Sequence, residues 1–341
     1  MSKPITVNMV SESDITVQGH GVHTAYDELA QALEARQDVA VIRGEFGKTT
    51  PCDVVHIHTI GPRVWRKLFQ RGPKKIMSVH VIPASFIGSI ALSRYWLPIA
   101  RLYMRWIYGK ADVLLAVSTM VARSLTHELH LPPEKIHVFY NTIAMDRYKP
   151  NAEKRQIARK KLGIEPDAFV VIGNGQVQPR KHPEVFVKAA TALPTVQFIW
   201  IGGLPFGRIA ANAAAMKRLM DAPPATMKFT GIIPHKEVAD YLAAADVFCL
   251  PAEQENHPMC VLEAAGAGLP IVLRDINEYH DTFGTDAVLC KTTQDFIDAF
   301  AKLQTDHEFY QETVHKSQAI RKRFDSSRAA QTLVSDYYQP H

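Results

Sequence analysis

Between Asp53 and Asp112 the chain has no aspartate and no glutamate, although ten lysines and arginines fall in that interval. They are Arg63, Arg66, Lys67, Arg71, Lys74, Lys75, Arg94, Arg101, Arg105 and Lys110. The net charge is +5, so the rest of the chain is on balance acidic and one region carries the basic excess. No apolar run reaches the roughly 18 residues that a membrane-spanning helix needs. The opening MSKPITVNMVSE enters a strand directly and lacks the long apolar core of a secretory signal. Only four cysteines occur, Cys52, Cys249, Cys260 and Cys290, widely spaced and within apolar patterns. That excludes a disulfide framework and a zinc site, and reads as a reduced, cytoplasmic protein. No Asp-x-Asp follows a strand, so the sequence offers no metal site of that kind.

At 341 residues the chain is too long for one core, which rarely grows beyond about 250 to 300 residues, and two domains are expected. ITVNMV, VAVI, DVVHIHT, KIMSVHV, DVLLAVS and KIHVFYN are strand-like and alternate with helical patterns, giving an α/β doubly wound first domain. A second begins after the polar helix near Asn151 to Leu162, with FVVIGNGQVQPRKHPEVFVKAATAL. There Gly173 and Gly175 follow a strand, but Gln178 stands where a dinucleotide fingerprint needs its third glycine, so a nicotinamide enzyme is excluded. Earlier, Gly19 and Gly21 make a weak Gly-x-Gly loop before an amphipathic helix with Val22, Tyr26, Leu29, Ala30 and Leu33 on one face. His56 and His58 close one strand. With no third ligand at suitable spacing they read as strand-end histidines, not a metal pair.

The most informative stretch is AEQENHPMCVLEAAGAGLPIVLRD, residues 252 to 275. It reads as a loop after the buried strand DVFCLP, then a helix opened by Pro258, then another strand. Glu255 falls in the loop and Glu263 inside the helix. Taken alone, two glutamates eight positions apart read as a solvated helix face. Their setting at the carboxyl edge of a parallel sheet, beside a helix N-terminus, instead suits an anionic ligand.

The Glu-x7-Glu pair followed by Ala-Ala-Gly-Ala-Gly-Leu-Pro-Ile-Val resembles the donor signature of retaining GT-B glycosyltransferases of family 4. The resemblance implies two Rossmann-like domains facing a central cleft. Residues 1–150 would bind acceptor, 151–322 would bind a nucleotide sugar, and a helix in 323–341 would cross back to the first domain. It places Glu255 by the donor sugar and Glu263 on the ribose, with Asn256, His257, Pro258 and Met259 lining the donor beside them. Lys181 matches the family's diphosphate lysine. Gln176 stands where the family carries an arginine, and Arg180 is the candidate to compensate. Backbone near Ile233 would meet the nucleobase, the Gly19–Gly21 loop would face the diphosphate, and His80 would orient the acceptor hydroxyl. The implied mechanism needs no cofactor and no protein nucleophile: the acceptor attacks from the face the nucleotide leaves, a phosphate oxygen takes the proton, and domain closure excludes water.

RYWLPIARLYMRWIYGK, residues 94 to 110, and RVWRKLFQRGPKK, residues 63 to 75, mix cations with large apolar and aromatic side chains. Such helices suit a membrane interface, with Arg63, Trp65, Arg66, Lys67, Arg71, Lys74, Lys75, Arg94, Trp96, Arg101 and Arg105 as candidate contacts. The bland alternative is a helix pair with solvated cations. Nucleic acid would also attract the charge, but no nucleic-acid module accompanies it. SVHVIPASFIGS and RYWLPIARLYMRWIYGKADVLLAVS most resemble bacterial glucosyltransferases acting on diacylglycerol. The expectation is therefore transfer of a hexose, glucose from UDP-glucose, to a membrane lipid hydroxyl by a protein peripheral on the inner face of the cell membrane. A soluble sugar or polysaccharide acceptor, and a non-catalytic nucleotide-sugar-binding adaptor, are the rival readings.

Overall fold

A computed structural model describes residues 3–13, 21–47, 50–87, 93–204 and 212–339, with the side chains of Ser93 and Arg94 outside the description. Gly19 lies outside the described residues. The chain divides into two compact units, one of Met1–Phe86, Arg94–Ala144 and Phe324–His341, the other centred on Met145–Arg323. The C-terminal segment thus belongs with the N-terminal unit.

The first unit is a parallel sheet in the order β2-β1-β3-β4-β5-β6. Its strands are β1 (Ile5–Val10), β2 (Val39–Arg43), β3 (Val54–Ile57), β4 (Lys74–Val79), β5 (Val113–Ala116) and β6 (Ile136–Val138). Side chains alternate across a strand, so each strand feeds two cores. Val55, Ile57, Met77, Val79, Leu114 and Ala116 pack with Met104, Ile107 and Tyr108 of the helix α3 (Ser93–Gly109), which follows α1 (Gly21–Glu34) and the short α2 (Trp65–Leu68). Val54, Ile76 and Leu115 point the other way, to Tyr26, Leu29, Ala30 and Leu33 of α1 and to Leu333, Val334 and Tyr338 at the C-terminus. Of the expected apolar face of α1, Val22 alone is only half-buried. The short helix α4 (Thr119–Arg123) is capped by the Ser118 hydroxyl.

The second unit opens with α5 (Ala152–Leu162), capped by Asn151 and closed by Gly163 in the left-handed region. Its sheet has the order β12-β11-β10-β7-β8-β9, all parallel. The strands are β7 (Phe169–Asn174), β8 (Val196–Ile201), β9 (Met227–Phe229), β10 (Val247–Leu250), β11 (Ile271–Arg274) and β12 (Val288–Cys290). Between them lie α6 (Glu184–Ala192), α7 (Ala213–Asp221), α8 (His235–Ala244), α9 (Met259–Gly266) and α10 (Asn277–Thr282). α11 (Thr293–Thr305), with a capping box at Thr292, and α12 (His307–Arg323) follow the sheet, and α13 (Ser326–Thr332) returns to the first unit.

A half-buried charge fixes the start of β10. Asp246 receives Arg155 at 2.6 Å and Arg159 at 2.8 Å from α5, and accepts the amide of Val170 at 2.9 Å. A half-buried carboxylate with that many donors is satisfied, so α5, β7 and β10 are locked together at the ends away from the site described next.

Candidate active site

In the second unit the strand order reverses between β7 and β10, so the loops leaving their carboxyl ends diverge and leave room for a ligand. The β7 loop runs through Gly175 and Gln176 to a tight turn at Pro179–Lys181. Backbone glycine is required beside it. A Cβ on Gly202, which has φ of +132°, would fall 2.0 Å from the Gly175 carbonyl oxygen. The β10 loop carries Glu253 to Asn256 and feeds α9 at Pro258. Glu253 N donates to Arg180 O at 2.9 Å, tying the two loops.

Across that tie sits a charged cluster. The Lys181 ammonium contacts Glu255 Oε1, and Arg180 Nη1 donates to the same oxygen at 3.0 Å and to Gln254 O at 2.8 Å. Glu255 is 8% exposed and Lys181 7%. Burial pushes the Glu255 carboxyl up, but Lys181 and Arg180 pull it further down, so it is ionised at neutral pH. α9 begins just beyond, bringing the partial positive end of a buried helix to the same edge. Cys260 in its first turn is driven up to about 12 by burial and is no nucleophile. One turn further on, Glu263 is 2% exposed and accepts His235 Nε2 at 2.7 Å.

The remaining candidates surround this cluster. Gln176 is half-buried and supplies an amide where a cation was expected from the resemblance. Asn256 Oδ1 accepts from Gln254 Nε2 at 3.1 Å. His257 is buried and stacks on Phe283 at 5.8 Å, while Pro258 and Met259 are buried at the helix start. Ile233 is half-buried in the turn between β9 and α8. Two cations, a fixed carboxylate and a helix N-terminus together suit an anionic group joined to a polyhydroxyl.

The first unit gathers histidines. His56, His58, Ser78 and His80 alternate onto the α1 face of the sheet. His56 Nδ1 meets the Tyr338 hydroxyl at 2.6 Å and Nε2 the Ser78 hydroxyl at 2.8 Å, and burial drives its pKa down to about 3. His58 is likewise held neutral by burial, and its Nδ1 lies 3.2 Å from His80 Nε2. His80 is half-buried past the carboxyl end of β4, with Gly21 exposed at the start of α1. Among the described residues no group of three or more His, Cys, Asp or Glu could hold a metal ion.

The same unit carries an apolar and basic face. Trp65 packs on Trp106 at 5.6 Å and Phe69 on Trp106 at 6.2 Å, yet all three stay exposed, as do Tyr95, Ile99 and Leu102 along α3. Arg63, Arg66, Arg71, Arg101 and Arg105 are exposed among them, and Trp96 half-buried against Phe86. Lys67 is a correction: it is fully buried and donates to Gly47 O, to Thr50 Oγ1 at 2.9 Å and to Gln70 Oε1 at 3.2 Å. It falls on the inner side of α2, where its ammonium ties down a loop and faces no surface partner. Lys74 and Lys75 sit half-buried at the start of β4, Lys74 donating to Gln339 O at 3.3 Å. No described helix is long and apolar enough to cross a membrane.

Residues 166–306 match the family model described as glycosyl transferases group 1, and residues 42–147 that of Glycosyltransferase Family 4. The chain is 30% identical over 341 residues to the alpha-galactosylglucosyldiacylglycerol synthase of Streptococcus pneumoniae, covering 99% of this chain and 90% of that protein. It is a family 4 GT-B glycosyltransferase. The glycosyltransferase is also 28% identical over 275 residues to the processive diacylglycerol alpha-glucosyltransferase of Acholeplasma laidlawii, covering 81% of this chain and 80% of that one. Its fold matches Anabaena HepE, solved with UDP and glucose, at TM-score 0.74 and 17% identity, covering 97% and 98% of the two chains. Sucrose-phosphate synthase from Thermosynechococcus elongatus gives 0.78 at 15%, covering 98% of each. At those identities the likeness is one of fold.

In the glycosyltransferase the structure thus brings Lys181, Arg180 and Glu255 into one contact and puts Glu263 one turn along the helix that follows. Sequence reasoning missed His235 and Tyr148, whose hydroxyl lies 3.4 Å from Glu263, and the tie from His56 to Tyr338. His235 had a signal, since it follows Pro234 at the head of an amphipathic helix. Tyr338 had none, because nothing local links it to a strand 282 residues away.

Proposed function

We propose that this glycosyltransferase moves glucose from UDP-glucose, with retention, to the hydroxyl of a diacylglycerol-type lipid at an anionic membrane surface. One observation carries the acceptor class: the two relatives matched over most of their length are both named for products or acceptors built on diacylglycerol. The exposed aromatic and arginine face of the first unit supports it, since each surface cation adds about 1 kcal/mol at an anionic leaflet and aromatic rings favour the headgroup region.

On this reading Lys181 and Arg180, with the first amides of α9, hold the diphosphate and stabilise the charge that develops as it leaves. They already converge on Glu255, so that carboxylate is oriented before the sugar arrives and accepts from its hydroxyls. Glu263 takes the ribose, the turn at Ile233 the base, and His80 the acceptor hydroxyl. Gln176 would hydrogen-bond a phosphate oxygen without adding charge. A phosphate oxygen takes the acceptor proton, so no side chain is asked to act as nucleophile. No cofactor is invoked, and the protein would act from the inner face of the membrane. In the test, Lys181→Ala and Glu263→Ala proteins each lose donor affinity by about tenfold or more, the worth of one charged hydrogen bond. Normal donor affinity and turnover in both would remove these residues from the site.

A further inference from the structure

Glu263 is a carboxylate embedded in an otherwise apolar helix, for Met259, Val261, Leu262, Ala264, Ala265 and Gly266 are all buried around it. A charge so placed has to be paired or hydrogen-bonded. No lysine or arginine forms an ion pair with it among the described residues. Among the described residues its short side-chain contact is to His235, whose Nε2 lies 2.7 Å from Oε1. The Tyr148 hydroxyl adds a longer contact to the same oxygen, 3.4 Å, and Asn174 Nδ2 reaches Oε2 only at 3.5 Å. The donors are therefore unevenly shared. Oε1 is taken by a short bond, while Oε2 keeps acceptor capacity for a ligand.

We infer that His235 is a positioning residue that fixes the Glu263 carboxylate so that Oε2 is presented to the ribose of the donor. The inference rests on the reading of Glu263 as the ribose ligand. The last torsion of a glutamate is broad and roughly two-fold, so the helix alone leaves the carboxylate plane undetermined. A single short N–H bond from the first residue of α8 sets it. Arginine in that place would engage both oxygens in a fork and so occupy part of the acceptor capacity of each. Histidine gives one N–H to one oxygen. Tyr148 ends the turn Met145–Tyr148 and Asn174 ends β7, so three separate elements bound the carboxylate and little freedom remains.

The test compares ribose with deoxyribose. Affinities of UDP, ADP and GDP are measured by calorimetry, and the tightest binder is repeated as its 2′-deoxy and 3′-deoxy forms. In the parent protein, removing the hydroxyl that meets Glu263 weakens binding by about tenfold or more, as expected for a hydrogen bond to a charged group. In His235→Ala that penalty falls below about threefold, and the intact diphosphate itself binds about tenfold more weakly. His235→Gln, whose amide can still donate one N–H, restores most of the penalty. A merely structural role for His235 would lower stability but leave the ratio of ribose to deoxyribose affinity unchanged. A penalty that Glu263→Gln abolishes but His235→Ala retains would overturn the inference and spare the ribose reading. No penalty for either deoxy form in the parent protein would overturn both.

Discussion

Replacing Lys181 by methionine leaves the Glu255 carboxylate buried with one cation instead of two. Both side chains of the pair are about nine-tenths buried, so the pair is barely screened by water. Removing one partner of a buried pair costs about 3 to 5 kcal/mol, and because Arg180 remains on the same oxygen at 3.0 Å the lower end applies, about 3 kcal/mol. For a unit of this size that lowers the melting temperature by about 6 to 12 °C. Glu255→Gln removes the charge that the cations face and costs less, about 2 kcal/mol, because the new amide oxygen can still accept from them and Arg180 keeps the Gln254 carbonyl. The double variant, with neither charge, should be more stable than Lys181→Met alone. Urea unfolding at neutral pH reads all four proteins, and a coupling of about 3 kcal/mol is expected, which leaves the double variant about 2 kcal/mol below the parent. Acid supplies a second reading. The folded Glu255 pKa lies below its unfolded value of about 4.3, so the pair's contribution is full above that pH and is lost as pH falls through the folded value. With Lys181 gone, burial has less opposing it and the loss begins at higher pH. Additive costs in the double variant, or an unchanged acid limb in Lys181→Met, would refute the claim that the pair is one buried unit.

Other expectations follow from the same structure. Arg101→Glu with Arg105→Glu should weaken binding to anionic vesicles by at least about 30-fold, from about 1 kcal/mol lost per cation, and leave neutral vesicles unaffected in a flotation assay. Gly202→Ala puts a Cβ against the Gly175 carbonyl and should cost about 3 kcal/mol in urea unfolding while abolishing donor binding, because the β7 loop must move. His182 Nδ1 donates to Glu184 Oε1 at 2.5 Å, and its Nε2 lies 2.8 Å from Glu253 Oε1, off hydrogen-bond alignment. Glu184 first, then Glu253, hold its pKa above the ordinary value against burial. Its contribution is therefore full below about pH 6.5 and lost as pH rises through the folded value, a slope in urea midpoint that His182→Gln should flatten.

The sheets and the edges that carry the site were legible because parallel strands are long apolar runs and Pro258 marks a helix start. Positions on the edge followed from order along the chain, which placed Glu255 there, while Lys181 was singled out by the resemblance of its turn to the family's diphosphate site. Their contact did not, since it depends on two loops being tied by the Glu253 to Arg180 bond. Charge on α2 misled for a related reason. Arg66 and Lys67 are neighbours in sequence but point about 100° apart around a helix, and only packing reveals that Lys67 serves the loop at Gly47 and Thr50. His56 likewise reads as a strand-end histidine, and its partner Tyr338 is supplied by the returning C-terminal segment.

Lipid glucosylation is tested by following labelled glucose from UDP-glucose into diacylglycerol vesicles, with and without anionic lipid, beside a soluble-sugar acceptor. A labelled glycolipid whose yield rises with anionic lipid is expected, with little transfer to the soluble sugar. Label in the soluble product with none in lipid would contradict it.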